Sequence, residues 1–291
     1  MLHVDADARY ADIMERALYN GALSGVSLDG EKFFYDNPLA SSGDHHRQEW
    51  FGCACCPPNI ARLIASLGSY IYSESVADLY IHLYISSNAE LNAAGIPVRI
   101  SQRSDYPCNG EIEVEVAPAE AAEFGLNLRI PGWCRKATLM VNGIEIDTAP
   151  TLRSGYARLY RTWQPGDTVK LNLAMPVERV VPHPRVAENI GHVALSRGPI
   201  IFCLETADNS VPLDRIVLPR DAKLTAIFDE KSLGGVVKIQ GEALLVDDAD
   251  WGDELYRFDP VRMRPYVLTA IPYYAWDHRT PGEMRVWIRS L

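Results

Sequence analysis

From residue 79 onward the apolar residues of this chain leave helical spacing and fall into alternation. Residues 79–85 are β-rich, and 97–102, 111–116, 124–130, 137–141 and 168–173 alternate apolar with polar residues. Successive side chains of a strand point to opposite faces, so such a segment suits a surface buried on one side and wet on the other. Turn signals at Pro131-Gly132, Asn142-Gly143 and Pro165-Gly166-Asp167 separate the runs. Many short alternating segments with turns between them predict an antiparallel β-sandwich that ends near Pro176. A second β-rich unit follows over 177–291, with strands expected at 193–196, 200–204, 236–239, 243–246, 266–271 and 284–288.

The opening 72 residues read differently. Tyr10, Ile13, Met14, Ala17 and Leu18 mark one face of a helix, and Ile60, Leu63, Ile64, Leu67 and Ile71 mark another, both at a period near 3.6. Between them lie the turn Asp29-Gly30, a short strand expected at 32–35, and a polar loop at 41–47 that contains His45 and His46. Two helices and a hairpin cannot enclose a large core, so this stretch reads as the end of a larger helical domain. Three parts are expected: 1–72 as the C-terminal part of a helical domain, 73–176 as one β-sandwich and 177–291 as another.

A net charge of −10 and a pI near 5.2 argue against a nucleic-acid or anionic-membrane partner, since either selects a basic face. The first seven residues show no basic and apolar leader pattern, and no run of eighteen apolar residues occurs. Six cysteines, half of them in one cluster, do not resemble a secreted disulfide framework; they point to reduced thiols and a cytoplasmic setting.

That cluster is Cys53-Ala54-Cys55-Cys56, followed by Pro57-Pro58 and the second helical stripe. Proline suits a first helical turn, so Cys55 and Cys56 are expected at the mouth of a helix, where the dipole favours a thiolate. Three chemistries remain open for them: packing as small hydrophobes, a redox pair, or a metal site. Zinc fits the thiols best, yet it takes four ligands and adjacent residues supply two. Cys108, Cys134 and Cys203 stand alone in β segments and are expected to be packed. His45 and His46 are expected to be solvated, whereas Tyr35, Trp50 and Phe51 suit either a sugar-stacking floor or a core. His192, Arg197, Trp276 and His278 have no local constellation.

At these residues the chain resembles a known family. Ala17-Leu18-Tyr19-Asn20-Gly21, Phe33-Phe34-Tyr35-Asp36-Asn37-Pro38-Leu39 and above all Trp50-Phe51-Gly52-Cys53-Ala54-Cys55-Cys56-Pro57-Pro58-Asn59 are similar to glycoside hydrolase family 127, the non-reducing-end β-L-arabinofuranosidases. The likeness continues through Gly198-Pro199-Ile200 and Ile271-Pro272-Tyr273-Tyr274-Ala275-Trp276. It implies a mainly β chain: the C-terminal piece of an (α/α)6 barrel followed by two antiparallel β-sandwich domains. It also implies zinc held by a glutamate and three cysteines, with Cys55 as nucleophile and ligand, Cys56 as ligand and Tyr35 in contact with the sugar. The implied reaction retains configuration and releases L-arabinofuranose from an oligosaccharide or glycoconjugate. The acid/base glutamate and the other zinc ligands belong upstream in the family, and Glu15, Glu31 and Glu49 do not match their contexts. The chain is therefore expected to be inactive alone. A homodimer through the β-sandwich domains is the expected assembly. The competing readings are a non-catalytic module for dimerisation or carbohydrate binding with structural cysteines, and a cysteine redox protein.

Overall fold

A computed structural model describes residues 2, 5–53 and 55–291. It is mainly β, with two α-helices, α1 (Ala8–Arg16) and α2 (Cys56–Ser66). The chain forms two compact units, one from the residues up to Leu18 together with Pro58–Met175, the other from Tyr19–Pro57 together with Pro176–Leu291. No described helix is long and apolar enough to cross a membrane.

In the first unit, six strands form one sheet in the order Ser87–Ala93, Ile96–Ser104, Glu111–Pro118, Asp167–Leu173, Ala137–Val141, Ile144–Ile146. Five more form another: Leu152–Arg153, Tyr156–Trp163, Ala122–Arg129, Asp78–Ile81, Tyr72–Glu74. Alternate residues are buried as the periodicity requires: Ile112, Val114 and Val116 on one strand, Val169, Leu171 and Leu173 on its neighbour. No expectation covered Tyr156–Trp163, where exposed Tyr160, Arg161 and Thr162 in succession break the alternation.

Asp7 caps α1 by accepting from the Arg9 amide at 2.9 Å, and the chain then passes through a π-helical turn, Ala17–Ala22. The buried face of α1 is Ala8, Ala11 and Glu15, not the stripe the sequence suggested. Ala8 and Ala11 are small enough for close approach; a side chain at Gly155 would meet the Ala8 methyl at 2.4 Å. Glu15 is sealed in by Arg129, by the Tyr106 hydroxyl at 2.5 Å and by Trp133 Nε1 at 3.1 Å, while Arg129 also donates to Asp12 at 2.6 Å. Fully paired, a buried ionic group of this kind fixes the helix on the sheet. Ile13, which the stripe placed inward, is 70% exposed. The stripe of α2 is likewise only partly covered: its one fully buried residue is Pro57, and Ile64 is 49% exposed.

The second unit is built on a ten-stranded sheet. The expected strands 236–239 and 243–246 are one continuous strand, Val236–Asp247, because Gly241 stays in the ladder opposite Leu224 and Leu268. The reverse holds at 284–288, where Met284–Arg285 pairs with Ala40–Ser41 and Leu204-Glu205 while Ile288–Ser290 joins other strands. The expected strand at 32–35 is reduced to bridges from Phe33 to Val26 and Gln48. Phe34 enters a core with Cys203, Ile271, Tyr273, Trp276, Met284 and Val286. The segment between the two helices is thus part of the C-terminal β unit.

Candidate functional site

Cys56 is the first residue of α2, Cys55 immediately precedes it, and Pro57 and Pro58 fill the first turn. The prolines suit that position, but they also remove two of the four backbone donors that a helix start normally offers. An anion here relies on the dipole and on neighbouring side chains more than on amide N–H groups.

Those neighbours are close. The Cys55 and Cys56 sulfurs are 3.6 Å apart. The Cys56 thiol donates toward Cys55 and holds the Cys55 thiol below its ordinary pKa, and the same contact pushes Cys56 up. Cys53 and the Tyr35 hydroxyl lie within hydrogen-bonding reach of Cys55 and act in the same direction. The negative field of the thiolates in turn raises the Tyr35 phenol. Cys56 Sγ also lies 3.8 Å from the Tyr35 carbonyl oxygen. The structure therefore brings Tyr35, Cys53, Cys55 and Cys56 together, with Cys53 and Cys55 exposed. Phe51 meets the Tyr35 ring edge-on at 5.6 Å, so an open aromatic wall stands beside the sulfurs; Trp50 is exposed. Sulfurs exposed in this way are not packed hydrophobes. Ala54 lies outside the described residues.

The Tyr35 loop is held by contacts that sequence reasoning missed. Phe34 stacks on Trp276 and on His45, each at 4.8 Å between centroids, and the Arg47 guanidinium lies 4.1 Å from the Phe34 ring centre. Arg47 is buried and donates to the carbonyls of Ser24 at 2.8 Å, Tyr274 at 3.3 Å and Trp276. Burial lowers its pKa to about 10. Asp277, in the left-handed region at φ 61°, accepts from the Arg47 amide at 2.9 Å and from His46 Nδ1 at 2.7 Å. His278 Nε2 accepts from the Leu28 amide at 2.8 Å, and burial pushes its pKa down. His45, expected in solvent, is half-buried in an aromatic stack, whereas His46 stays exposed as expected but is tied to a carboxylate 231 residues away. Trp276 and His278, which have no local constellation in the sequence, hold the Tyr35 loop in place. Cys203 is packed as expected, whereas Cys108 and Cys134 are half-buried.

The donor set fits part of a zinc site. Thiolates on tetrahedral zinc at about 2.3 Å have sulfurs about 3.8 Å apart, close to the Cys55–Cys56 separation. Among the described residues no three His, Cys, Asp or Glu side chains converge on one ion. Glu15 is committed to Arg129, and Glu31 and Glu49 are exposed.

Three family descriptions tile the sequence. The catalytic domain of β-L-arabinofuranosidases of this group matches residues 1–69, its middle domain 78–175 and its C-terminal domain 177–289. A non-reducing end β-L-arabinofuranosidase of Bifidobacterium longum subsp. longum is 38% identical across 99% of this chain and 46% of its own length. The crystal structure of a β-L-arabinofuranosidase from Geobacillus stearothermophilus T6 superposes with a TM-score of 0.97 at 50% identity, over 100% of this chain and 48% of that one. A second solved β-arabinofuranosidase gives 0.93 at 35% identity, again over 100% of this chain and 47% of its own. The chain spans about half the length of these relatives. Fold and sequence likeness together define a glycoside hydrolase lineage. Within it, the chain belongs to glycoside hydrolase family 127.

Proposed function

We propose that this chain supplies one wall of the active site of a retaining glycosidase that releases L-arabinofuranose from non-reducing-end β-L-arabinofuranosides. The observation that carries the reading is the exposed Cys55 sulfur at the start of α2, with Cys56, Cys53 and Tyr35 all favouring its anionic form. A sulfur nucleophile takes the place a carboxylate holds in ordinary retaining enzymes. Cys55 attacks the anomeric carbon, a C–S bond forms, and the glycosidic C–O bond breaks. The leaving oxygen takes its proton from an acid that the described site does not contain. Water then displaces the sulfur, gives its proton to the conjugate base of that acid and returns Cys55 as thiolate. Tyr35 and Phe51 provide the apolar surface against which a sugar ring rests. Cys55 and Cys56 would hold zinc as two of its four ligands. When bound, the metal stabilises the thiolate charge at neutral pH.

The uncovered stripes of α1 and α2 support a further part of the reading, that both helices belong to an (α/α)6 barrel whose other helices cover Ile13 and Ile64. The strands then form two β-sandwiches, and the remaining ligands and the acid come from the rest of the barrel. The 291-residue chain alone is expected not to hydrolyse an aryl β-L-arabinofuranoside. In the complete protein, Cys55→Ser abolishes turnover while circular dichroism stays unchanged, and mass spectrometry of the wild type quenched with substrate finds the sugar on Cys55. Retained turnover in the serine variant would overturn the nucleophile assignment.

A further inference from the structure

On the outer face of the six-stranded sheet, wholly within the first unit, a groove of about 650 Å³ runs across four neighbouring strands. Its size falls in the usual range of small-molecule sites. The strand register builds it. Ile112, Val114, Val169 and Leu171 turn inward, so Arg103, Glu113, Lys170 and Met140 stand in one outward row across the strands, and Glu111, Asn172 and Thr138 in the next. Neighbours in a row are about 5 Å apart. Asp105 and Asn109 add to the lining from the loop between two of these strands. That loop is pinned: buried Tyr106 donates its hydroxyl to Glu15 at 2.5 Å and meets the Tyr84 ring edge-on at 5.8 Å, and Asn109 Oδ1 accepts from the Glu111 amide at 2.9 Å. Strands and a held loop fix the groove's shape before a ligand arrives, which lowers the entropic cost of binding.

The polar groups of the groove are largely unspent. Among the described residues, the side chains of Arg103, Thr138 and Asn172 enter no hydrogen bond or ion pair, and Lys170 lies 3.9 Å from Glu113 with both well exposed. The charges interleave, with Arg103 and Lys170 set among Asp105, Glu111 and Glu113. A phosphate or carboxylate placed on either cation meets a carboxylate one strand away, and a cationic ligand meets the converse. Apolar side chains gain little there, since Met140 is exposed but Ile112 and Leu171 are buried. An uncharged polyol suits the groove better. Each of its hydroxyls both donates and accepts, and Glu113 beside Lys170, like Glu111 beside Asn172, presents an acceptor next to a donor. Met140 offers a small apolar patch to the C–H face of a sugar. We propose that this groove is a glycan site separate from the thiols, which binds a neutral arabinofuranosyl oligosaccharide. The choice of arabinose rests on the glycosidase reading above, whereas the preference for an uncharged polyol rests on the groove alone.

Titration of the chain with a β-L-arabinofuranosyl trisaccharide, followed by amide NMR shifts, reports both affinity and place. A dissociation constant of about 1 mM or below is expected, with shifts at Ser104, Asn109, Thr138 and Asn172. Arg103→Ala with Asn172→Ala strips the groove at two exposed positions, and Thr138→Arg fills it. Each is expected to weaken binding about tenfold or more, with circular dichroism unchanged. Tyr35→Ala is expected to leave the groove shifts and their affinity as they are. A galacturonate trisaccharide, which is negatively charged, is expected to bind about tenfold more weakly than the neutral sugar. The proposal is overturned if neither the arabinofuranosyl trisaccharide nor maltotriose shifts the groove at about 10 mM, if both groove variants bind like the wild type, or if the charged sugar binds equally well. Binding of maltotriose without the arabinofuranosyl trisaccharide overturns the choice of arabinose and has no bearing on Cys55. Should Thr138→Arg unfold the chain, the exposed pair still decides.

Discussion

Arg129 and Glu15 show how much of the first unit depends on one buried ion pair. Both side chains are sealed from solvent, and Glu15 accepts from three separate residues. Removing one member leaves the other charge buried without its partner, a loss on the order of 3–5 kcal/mol. Arg129→Met is therefore expected to lower the urea midpoint sharply, and adding Glu15→Met to recover much of the loss; an unchanged midpoint in the single variant would contradict the assignment. His46 and His278 act with opposite sign. Asp277 raises the pKa of His46 above 6.5, so the stability of that contact is full below 6.5 and is lost as pH rises through the raised value. Burial lowers that of His278, so its contribution is lost as pH falls from 6.5 through the lowered value. Melting temperature is expected to peak between these two limits. His46→Gln should flatten the alkaline side and leave the acid side sloping, a pattern that thermal scans across pH resolve. His46 is partly exposed, so the amplitude is small, under about 1 kcal/mol.

At the scale of single strands and helices, Gly241 is the sharpest constraint. It keeps Val236–Asp247 continuous beneath Leu224, whose Cδ2 would lie 2.6 Å from an added Cβ. Gly241→Val is expected to cost about 1–3 kcal/mol by overpacking, and Leu224→Ala in the same chain to relieve part of it. Denaturant titration of the two variants tests this. The sequence showed a glycine between two apolar runs, which reads as a break; only the register of the neighbouring strands reveals it as a point of close approach. Strands such as Ala137–Val141 were legible to the residue because one face is buried and one is wet. The helices were legible as helices, but the buried side of α1 was not, since Ala8, Ala11 and Glu15 carry little hydrophobic signal beside Ile13 and Met14. At the thiol site the three cysteines announced themselves, whereas the partners that hold the Tyr35 loop lie some 230 residues away and leave no local pattern.

Over the whole molecule, each β unit takes in a piece of the N-terminal segment. A fragment limited to 78–175, the span of the middle-domain match, retains Arg129 but lacks Asp12 and Glu15. It is expected to melt well below the intact chain and to be cut faster by protease; equal resistance would mean that the ion pair contributes little. In the second unit the contact between Arg47 and the Trp276 carbonyl joins residues separated by 229 positions. At about 5–20 residues per second, a ribosome needs about ten to fifty seconds to cross that interval. For that time the guanidinium of Arg47 and the ring of Phe34 emerge without the sheet that will enclose them. The loop that carries Tyr35 gains its native setting only as the final strands are synthesised.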